Sequence, residues 1–385
     1  RKGRNAKPCL CYIQECDQKG KIKNNGGKRK MKKKGMIAVL AVLMILSSTS
    51  SAAVHAEDLS AEEVQKVSDQ ICKSSSDKVY NHLIYSVSYD GSITIQGIDN
   101  ANENANIELV IPAEINGCKV TTIASSAFSG CVNIKSVTLN DGLVTIGNWA
   151  FDGTSISVVD IPATVTTIGE YAFSSCLNLT KVTFQEGLKT IGNYAFTKCS
   201  LLTGNIVIPS TATEIGIDAF SGTAITGLKI EEGALGIKLD GRAFTDCANL
   251  SELELNRVTV MDYMCFKNDM AITNVTLPQG LQIIGTQAFL GANNLGGNLI
   301  VPSTVTSIGD EAFKGTSIEG LTVEEGNEGI TIGYDTFREC VNLKYANLSN
   351  RLKQIGYDAF WGDSKLVWVR IADGNYPLEI CGSAF

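Results

Sequence analysis

The sequence predicts a solenoid of about twelve short coils over residues 107–385, each coil with one short parallel strand. The first observation is that a small residue followed by Phe recurs twelve times, at spacings of 22 to 25 residues. The second is that an Ile-Gly pair precedes most of these phenylalanines at a constant distance. A period in the low twenties is typical of an array in which each coil is one repeat. The phenylalanines are Phe128, Phe151, Phe173, Phe196, Phe220, Phe244, Phe266, Phe289, Phe313, Phe337, Phe360 and Phe385.

One well-formed coil shows how the pattern works. Leu179, Val182 and Phe184 have the spacing of inward side chains on a short strand. Leu188 and Phe196 must also face the core, because so short a coil holds nothing else to cover them. The Gly of the Ile-Gly pair indicates either a turn with positive φ or a close approach of two backbones. Strands of neighbouring coils should pair in parallel at about 4.8 Å.

The sequence also contains a second repeat, which is longer than one coil. Residues 204–247 match residues 297–340 without a gap, 93 positions further on. A block of four coils has therefore been duplicated. Growth by copying coils suits a binding surface that can be lengthened, and it suits an active site poorly.

The amino end reads as an export signal. Residues 31–56 hold a basic start, a short apolar run and a small-residue cleavage site, so we expect cleavage after Ala56. The run is too short for a bilayer, which needs about 20 apolar residues. Residues 1–30 lie upstream of this signal and resemble a translated leader, which we expect to be disordered.

Residues 57–106 should close the amino end of the array. The capping box at Ser60 predicts a helix over about 61–73. Alternating apolar residues from Leu83 to Ile95 predict a β-hairpin, with a type I′ turn at Asp90-Gly91.

The charge of the exported part argues against two classes of partner. After residue 56 the chain has 20 basic and 38 acidic residues, a net charge of −18. Such a surface repels nucleic acid phosphates and anionic membranes, so we expect no nucleic acid partner and no membrane insertion after cleavage.

Two segments resemble a known family. Residues 165–179 read Val-Thr-Thr-Ile-Gly-Glu-Tyr-Ala-Phe-Ser-Ser-Cys-Leu-Asn-Leu, and residues 111–120 look like the usual entry into a first full coil. Both resemble the BspA-like (Treponema pallidum type) leucine-rich repeat. The resemblance implies a right-handed, curved solenoid of the α/β horseshoe class, on a bacterial surface, with a role in adhesion and no catalytic residues. Departures are Cys265 and Thr336 before Phe, and Asp269 where Cys or Thr is usual.

The sequence offers little for catalysis, cofactors or metal. His82 is the only His after Ala56, and Glu231-Glu232 reads as a solvated turn that recurs at 324–325. Cys and Thr interchange three residues after Phe, which favours small buried free thiols. A bridge between Cys176 and Cys199, in adjacent coils, remains open, and a metal site is the weakest alternative. We therefore predict no enzyme activity and no cofactor.

Binding would use the outward side chains of the predicted strands, on the concave face. These side chains are mostly small and polar, but Tyr345, Trp368 and Arg370 are residue types enriched at interface hot spots. They could instead simply cover a less regular end of the array. The full set of candidate partner-binding residues is Tyr345, Trp368, Arg370, Glu252, Glu254, Lys181 and Lys229.

These observations favour an exported cell-surface module that binds a host or bacterial protein in adhesion. The alternative is a substrate-recognition array of a secreted enzyme whose catalytic domain lies beyond residue 385, since the last coil ends mid-repeat and suggests a truncated solenoid. A structural surface-layer role is a third interpretation.

Overall fold

The computed structural model describes residues 78–99, 106–374 and 376–385, which form a β-solenoid of about twelve coils. The helix predicted over 61–73, the leader and the signal peptide lie outside these residues. Within the described ranges no helix is long and apolar enough to cross a membrane. In chain order the strands are β1 (Lys78–Tyr80), β2 (Leu83–Val87), β3 (Ile93–Ile98), β4 (Ile107–Val110), β5 (Glu114–Ile115), β6 (Cys118–Ile123), β7 (Ile134–Thr138), β8 (Thr145–Ile146), β9 (Val158–Asp160), β10 (Thr167–Ile168), β11 (Lys181–Thr183), β12 (Thr190–Ile191), β13 (Thr203–Ile208), β14 (Glu214–Ile215), β15 (Ala224–Ile230), β16 (Ile237–Leu239), β17 (Glu252–Glu254), β18 (Val258–Met261), β19 (Ile283–Ile284), β20 (Gly296–Val301), β21 (Ser307–Ile308), β22 (Ser317–Val323), β23 (Ile330–Ile332), β24 (Tyr345–Leu348), β25 (Leu352–Ile355), β26 (Trp368–Ile371) and β27 (Glu379–Ile380).

The strands predicted from the sequence form an interrupted ladder. It consists of the parallel sheets β4–β7, β9–β11, β13–β15–β17 and β20–β22–β24–β26. In the well-formed coil the strand is β11, where Val182 points inward and is buried. The coil at residues 272–277 has no strand, and this separates the third sheet from the fourth.

A second ladder was missed by the sequence analysis. We call it the long sheet; it runs β1-β2-β3-β6-β8-β10-β12-β14-β16-β18-β19-β21-β23-β25-β27, with β5 paired to β6. Many of its strands are only two residues long and end in the Ile of the Ile-Gly pair. Ile168, for example, pairs in parallel with Ile146 on one side and Ile191 on the other.

The phenylalanines form one continuous stack along the array, as predicted. Each ring lies over the next with centroids 5.1 to 5.6 Å apart and planes within 18°. The rings from Phe128 to Phe360 are buried, while Phe385 is 51% exposed. Offset stacking of this kind adds to the burial of the rings themselves.

The Gly of the Ile-Gly pair is required by close approach, and the positive-φ alternative is wrong. Neither Gly147 nor Gly192 has positive φ. A Cβ on Gly192 would meet the backbone of Gly169 in the preceding coil at 2.7 Å, and one on Gly147 would meet Ser125 N at 2.6 Å. Two backbones touch at this point in the coils that carry the Ile-Gly pair, so a side chain has no room there.

Positive φ occurs instead two residues before each Phe. These residues have φ between +52° and +59°, and we call them the left-handed column: Ser126, Trp149, Tyr171, Tyr194, Asp218, Arg242, Met264, Gln287, Glu311, Asp335, Asp358 and Ser383. Such φ values are rare for bulky residues. Here the backbone is held by the next coil, because Trp149 N donates to Glu170 O at 2.8 Å.

The left-handed column also corrects the α/β assignment. The segments around Phe consist of turns, and the described residues contain no α-helix. In the well-formed coil Tyr194 and Lys198 both have positive φ and lie on either side of Phe196. A right-handed helix cannot pass through such residues, so the coil is a β-solenoid turn.

At the amino end β2 and β3 form an antiparallel pair, and β3 then pairs in parallel with β6. The predicted type I′ turn is wrong. Gly91 N donates to Ser88 O at 2.9 Å, and only Gly91 of the turn has positive φ, at +84°. This is a type I turn followed by a left-handed Gly, the arrangement of three-residue hairpin loops.

Cys and Thr interchange after Phe because both donate to the same kind of acceptor. The Thr154 hydroxyl donates to Phe151 O at 2.9 Å, and the Cys176 thiol donates to the same oxygen at 3.1 Å. Cys199 donates in the same way to Phe173 O. Cys176 and Cys199 are buried free thiols in the structure. Either residue therefore suits the position, because each is small and donates to a Phe carbonyl.

Two coils carry a buried Asp at this position. Asp269 Oδ1 accepts from Cys247 N at 2.7 Å, but its Oδ2 has no partner, and burial raises the pKa of this carboxyl well above its usual value. Neither oxygen of Asp363 makes a hydrogen bond of ordinary geometry. Burial outweighs the nearby amide of Cys340 and raises the pKa of Asp363 to about 8. Asp269 stands out in the sequence as a departure from the repeat pattern, whereas Asp363 was not predicted.

We expect Asp363→Asn to flatten the dependence of stability on pH. The pKa of this carboxyl is about 8 in the fold and 3.8 in the absence of burial. The folded state therefore favours the neutral carboxyl, and ionisation lowers the stability of the fold. Its contribution is complete below about pH 4 and is lost as the pH rises through 8. Urea unfolding at pH 5 and pH 8.5 should show a larger loss for the wild type than for Asp363→Asn. Equal losses would mean that Asp363 is ionised and solvated in the fold.

Two buried arginines bind the coils together. Arg351 is 1% exposed and donates from Nε to Glu324 O and from Nη2 to Pro302 O, each at 2.8 Å. Its Nη1 donates to Val305 O and Glu328 O. Arg257 makes the equivalent four bonds, to the carbonyls of Pro209, Ala212, Glu231 and Leu235. Each guanidinium thus joins three successive coils through backbone acceptors.

Candidate functional site

The outward side chains of the interrupted ladder pair as the sequence register predicted. Gly227 lies opposite Glu252, and Lys229 lies opposite Glu254. Further along, Tyr345 lies opposite Trp368. Parallel pairing without a slip brings the predicted side chains of adjacent coils next to one another.

Two aromatic rings and one glycine form a compact cluster on β22, β24 and β26. The rings of Tyr345 and Trp368 are stacked, with centroids 5.3 Å apart and planes within 15°. A Cβ on Gly320 would lie 2.3 Å from Tyr345 Cζ, so the phenol ring rests directly on the glycine backbone. Trp368 is 49% exposed. The cluster is therefore rigid on its inner side and open to a partner on its outer side.

Arg370 extends this cluster toward one edge. It lies on β26 opposite Asn347 and is exposed, two residues beyond Trp368 on the same face. The structure thus brings Tyr345, Trp368 and Arg370 together. We call these three residues and Gly320 the aromatic patch.

The four charged candidates do not join the aromatic patch. Lys229 Nζ and Glu254 Oε2 are 3.9 Å apart with both side chains largely exposed, a geometry that contributes little to stability. Glu252 is exposed on the same strand as Glu254. Lys181 lies on β11 in a different sheet, opposite Val158.

The duplicated blocks present different side chains on their equivalent strands, β15 and β17 in the first and β22 and β24 in the second. At the 93-residue offset, Gly227 corresponds to Gly320 and Glu252 to Tyr345. Both glycines lie directly against an outward side chain of an adjacent strand, Gly227 against Asn205 and Gly320 against Tyr345. Glu252 of the first block is thus replaced by Tyr345 in the second, whereas the coil at 272–277, the counterpart of the one that carries Trp368, has no strand.

The remaining polar candidates form no reactive arrangement in the described part of the chain. His82 Nδ1 lies 2.9 Å from Asp99 Oδ1, and the His82 side chain is 58% exposed. Glu324 Oε2 accepts from Ser303 N, and Glu325 Oε2 accepts from Asn350 N, so this acidic pair stabilises turns. Among residues 78–99, 106–374 and 376–385 there is no group of His, Cys, Asp and Glu arranged to hold a metal ion.

Three features of the structure outside the predicted binding face were not predicted from the sequence. They are the buried Arg257 and Arg351, the buried Asp363, and a stack of Trp149, Tyr171 and Tyr194 in the left-handed column. The 93-residue repeat held a signal for the arginines, because Arg257 and Arg351 recur at almost that offset. The aromatic stack could have been found from its constant position two residues before Phe.

The family assignment follows from comparison with known proteins. A family model described as a BspA type leucine rich repeat region, in six copies, matches residues 106–226, 202–319 and 259–379. Together these matches cover well over half of the chain. The chain belongs to the BspA-type leucine-rich repeat family. Leucine-rich repeat solenoids are typically non-catalytic scaffolds for protein interaction, and this one has the extended strand ladders of that class.

One of the similar solved structures supports the fold. A leucine-rich repeat protein from Bacteroides ovatus is 22% identical, with 79% of each chain covered and a TM-score of 0.53. A leucine rich cell surface protein from Faecalibacterium prausnitzii is 19% identical over 78% of this chain and 96% of that one, with a TM-score of 0.38. The pneumococcal vaccine antigen PcpA is 17% identical over 79% of this chain and 98% of its own, with a TM-score of 0.42. Comparison with curated proteins gave no significant match.

Proposed function

We propose that this BspA-type protein is exported and binds a protein partner through the aromatic patch, in adhesion at a cell surface. The stacked, exposed pair of Tyr345 and Trp368 carries the proposal. Tyr, Trp and Arg dominate the energy of protein interfaces, and the patch holds one of each. The interrupted ladder that carries it is the face we predicted to be concave.

The rigidity of the patch favours binding. Tyr345 rests on Gly320 and Trp368 rests on Tyr345, so both rings have little freedom left to lose. Ordering a side chain at an interface costs about 0.5–1.5 kcal/mol, and a ring already held in place avoids most of that cost. Arg370 at the edge adds five donors that suit carboxylates of the partner.

Export rests on the sequence of residues 31–56, and adhesion rests on the family. Amino-terminal sequencing of protein recovered outside the producing cell should find Glu57 first. A first residue upstream of Met31 would contradict the export part of the proposal.

We expect Trp368→Ala to weaken partner binding at least tenfold without loss of folding. Its ring is half exposed, so its removal should cost little stability and should remove a central contact. The measurement is biolayer interferometry against a panel of immobilised extracellular-matrix and bacterial surface proteins.

Trp361 provides the matched control. It is 46% exposed, but it lies outside the interrupted ladder, under the guanidinium of Arg338. Trp361→Ala should leave binding unchanged. Equal effects of the two substitutions, or binding unaffected by either, would remove the aromatic patch as the binding site.

A further inference from the structure

A second aromatic surface lies in the left-handed column, away from the interrupted ladder. Trp149, Tyr171 and Tyr194 come from consecutive coils and stack with centroids 5.4 and 4.5 Å apart and planes within 6°. Trp149 is 39% exposed. The backbone φ values of all three lie between +53° and +58°. All twelve residues of the left-handed column share this conformation, so it belongs to the repeat and does not mark this stack.

The two ends of this stack differ. At one end the Arg242 guanidinium donates to the Tyr194 phenol oxygen at 3.4 Å and pairs with Asp218. At the other end the next residue of the column is Ser126, which is small and exposed. Within the described ranges, the indole of Trp149 contacts one other ring, that of Tyr171. Trp149 is 39% exposed although Tyr171 covers one face of its indole, so the face on the side of Ser126 is accessible to solvent.

This protein covers other rings with its own cations. The Arg338 guanidinium carbon lies 4.4 Å from the centre of the Trp361 ring. Lys353 Nζ lies 4.8 Å from the Tyr376 ring, and Arg242 lies 5.8 Å from the Tyr263 ring. A cation above an aromatic face is attracted by the electron density of the ring, and indole gives the strongest attraction. The exposed face of Trp149 has the same chemistry, and none of the cations in the described ranges lies over it.

Carboxylates lie beside the stack, although that of Asp218 is paired with Arg242. Burial and the neighbouring phenol of Tyr194 raise the pKa of Tyr171, and the carboxylates of Glu170 and Asp218 raise it further. The exported chain as a whole has 38 acidic and 20 basic residues. A cationic ligand is thus favoured over an anionic or neutral one. A planar guanidinium also stacks on an indole more completely than an ammonium group does.

We propose that the open face of Trp149 binds the guanidinium of an arginine from a basic segment of a partner protein. The guanidinium would lie above Ser126 and extend the stack of Trp149, Tyr171 and Tyr194 by one layer. This site belongs to the left-handed column near the amino end of the solenoid, so it is independent of the aromatic patch on β24 and β26.

The probe is a Gly-Ser peptide that carries four arginines, compared with the same peptide carrying lysines or glutamates. In the full chain with Trp361→Phe and Trp368→Phe, Trp149 is the sole tryptophan and reports binding by its fluorescence. We expect saturable quenching by the arginine peptide, weaker quenching by the lysine peptide and none by the glutamate peptide. Binding should weaken in 0.5 M salt, because exposed charges are screened.

Ser126→Tyr is the decisive variant, because it closes the site without removing any group from it. The left-handed column already accepts Tyr at 171 and 194, so a Tyr at 126 should stack on the open indole face. We expect at least a tenfold loss of affinity for the arginine peptide. Ser126→Asn is the matched control, since Asn tolerates positive φ and leaves the face open.

Calorimetry with Trp149→Ala gives a second test that does not depend on the folding of Ser126→Tyr. The expected result is the same loss of affinity. The proposal is overturned if Ser126→Tyr or Trp149→Ala binds the arginine peptide as the wild type does. It is also overturned if the glutamate peptide binds equally well, or if no peptide binds at millimolar concentration.

Discussion

Phe220→Ala is expected to lower the free energy of unfolding by about 3–5 kcal/mol. Phe220 is fully buried and stacks on Phe196 and Phe244 at 5.2 and 5.3 Å. The edge of Phe184 also faces it, with ring centres 6.4 Å apart. Because side-chain packing in a solenoid is mainly between adjacent coils, no distant side chain can move in to fill the cavity. The loss should therefore lie at the upper end for a Phe substitution.

Urea unfolding measures this loss, analysed with a nearest-neighbour model because long arrays can depart from two-state behaviour. Leu177→Ala is a suitable control, since Leu177 is 57% exposed in the adjoining region and should cost little. A loss below about 1 kcal/mol for Phe220→Ala would place its ring outside the core.

Arg351→Ala is expected to destabilise the fold by at least about 3 kcal/mol. The guanidinium donates to four carbonyl oxygens and is almost completely buried. Removing it leaves those acceptors without a donor inside the solenoid, and each buried unsatisfied group costs about 1–3 kcal/mol. Burial lowers the pKa of Arg351, and the carboxylates of Glu324 and Glu325 oppose that shift.

Arg351→Lys separates charge from geometry. Lysine keeps the charge, but its single ammonium cannot reach acceptors that belong to two other coils, so we expect it to lose nearly as much stability as Ala. The exposed Arg370→Ala should leave the unfolding curve almost unchanged. If Arg351→Lys unfolds like the wild type, the charge alone is needed and the arrangement of the four bonds is not.

The phenylalanine stack and the register of the interrupted ladder could be predicted because both depend on strict repetition. A Phe equivalent to Phe196 occurs at the same position of every coil, and so short a coil can bury it only by turning it into the core. The pairing of Tyr345 with Trp368 follows from the same count. Periodicity therefore predicts which residues share a column.

The long sheet and the arginines could not be predicted in this way. A strand such as β12 has two residues, too few to show an alternation. Arg351 is of a residue type that is almost never fully buried, and its acceptors are backbone atoms that leave no mark in the sequence. The left-handed φ of Trp149 could not be predicted either. Glycine is the usual sign of that conformation in a sequence, and this position has none.

The reach of the arginines restricts how such a chain can grow by gene duplication. Arg257 takes acceptors from the preceding coil and from the one before it, as far back as Pro209. If one coil alone were duplicated, its arginine would lie next to coils that do not present the required carbonyl acceptors. The smallest unit that can be duplicated with its arginine contacts intact is therefore three coils. The 93-residue block contains four coils and meets this requirement.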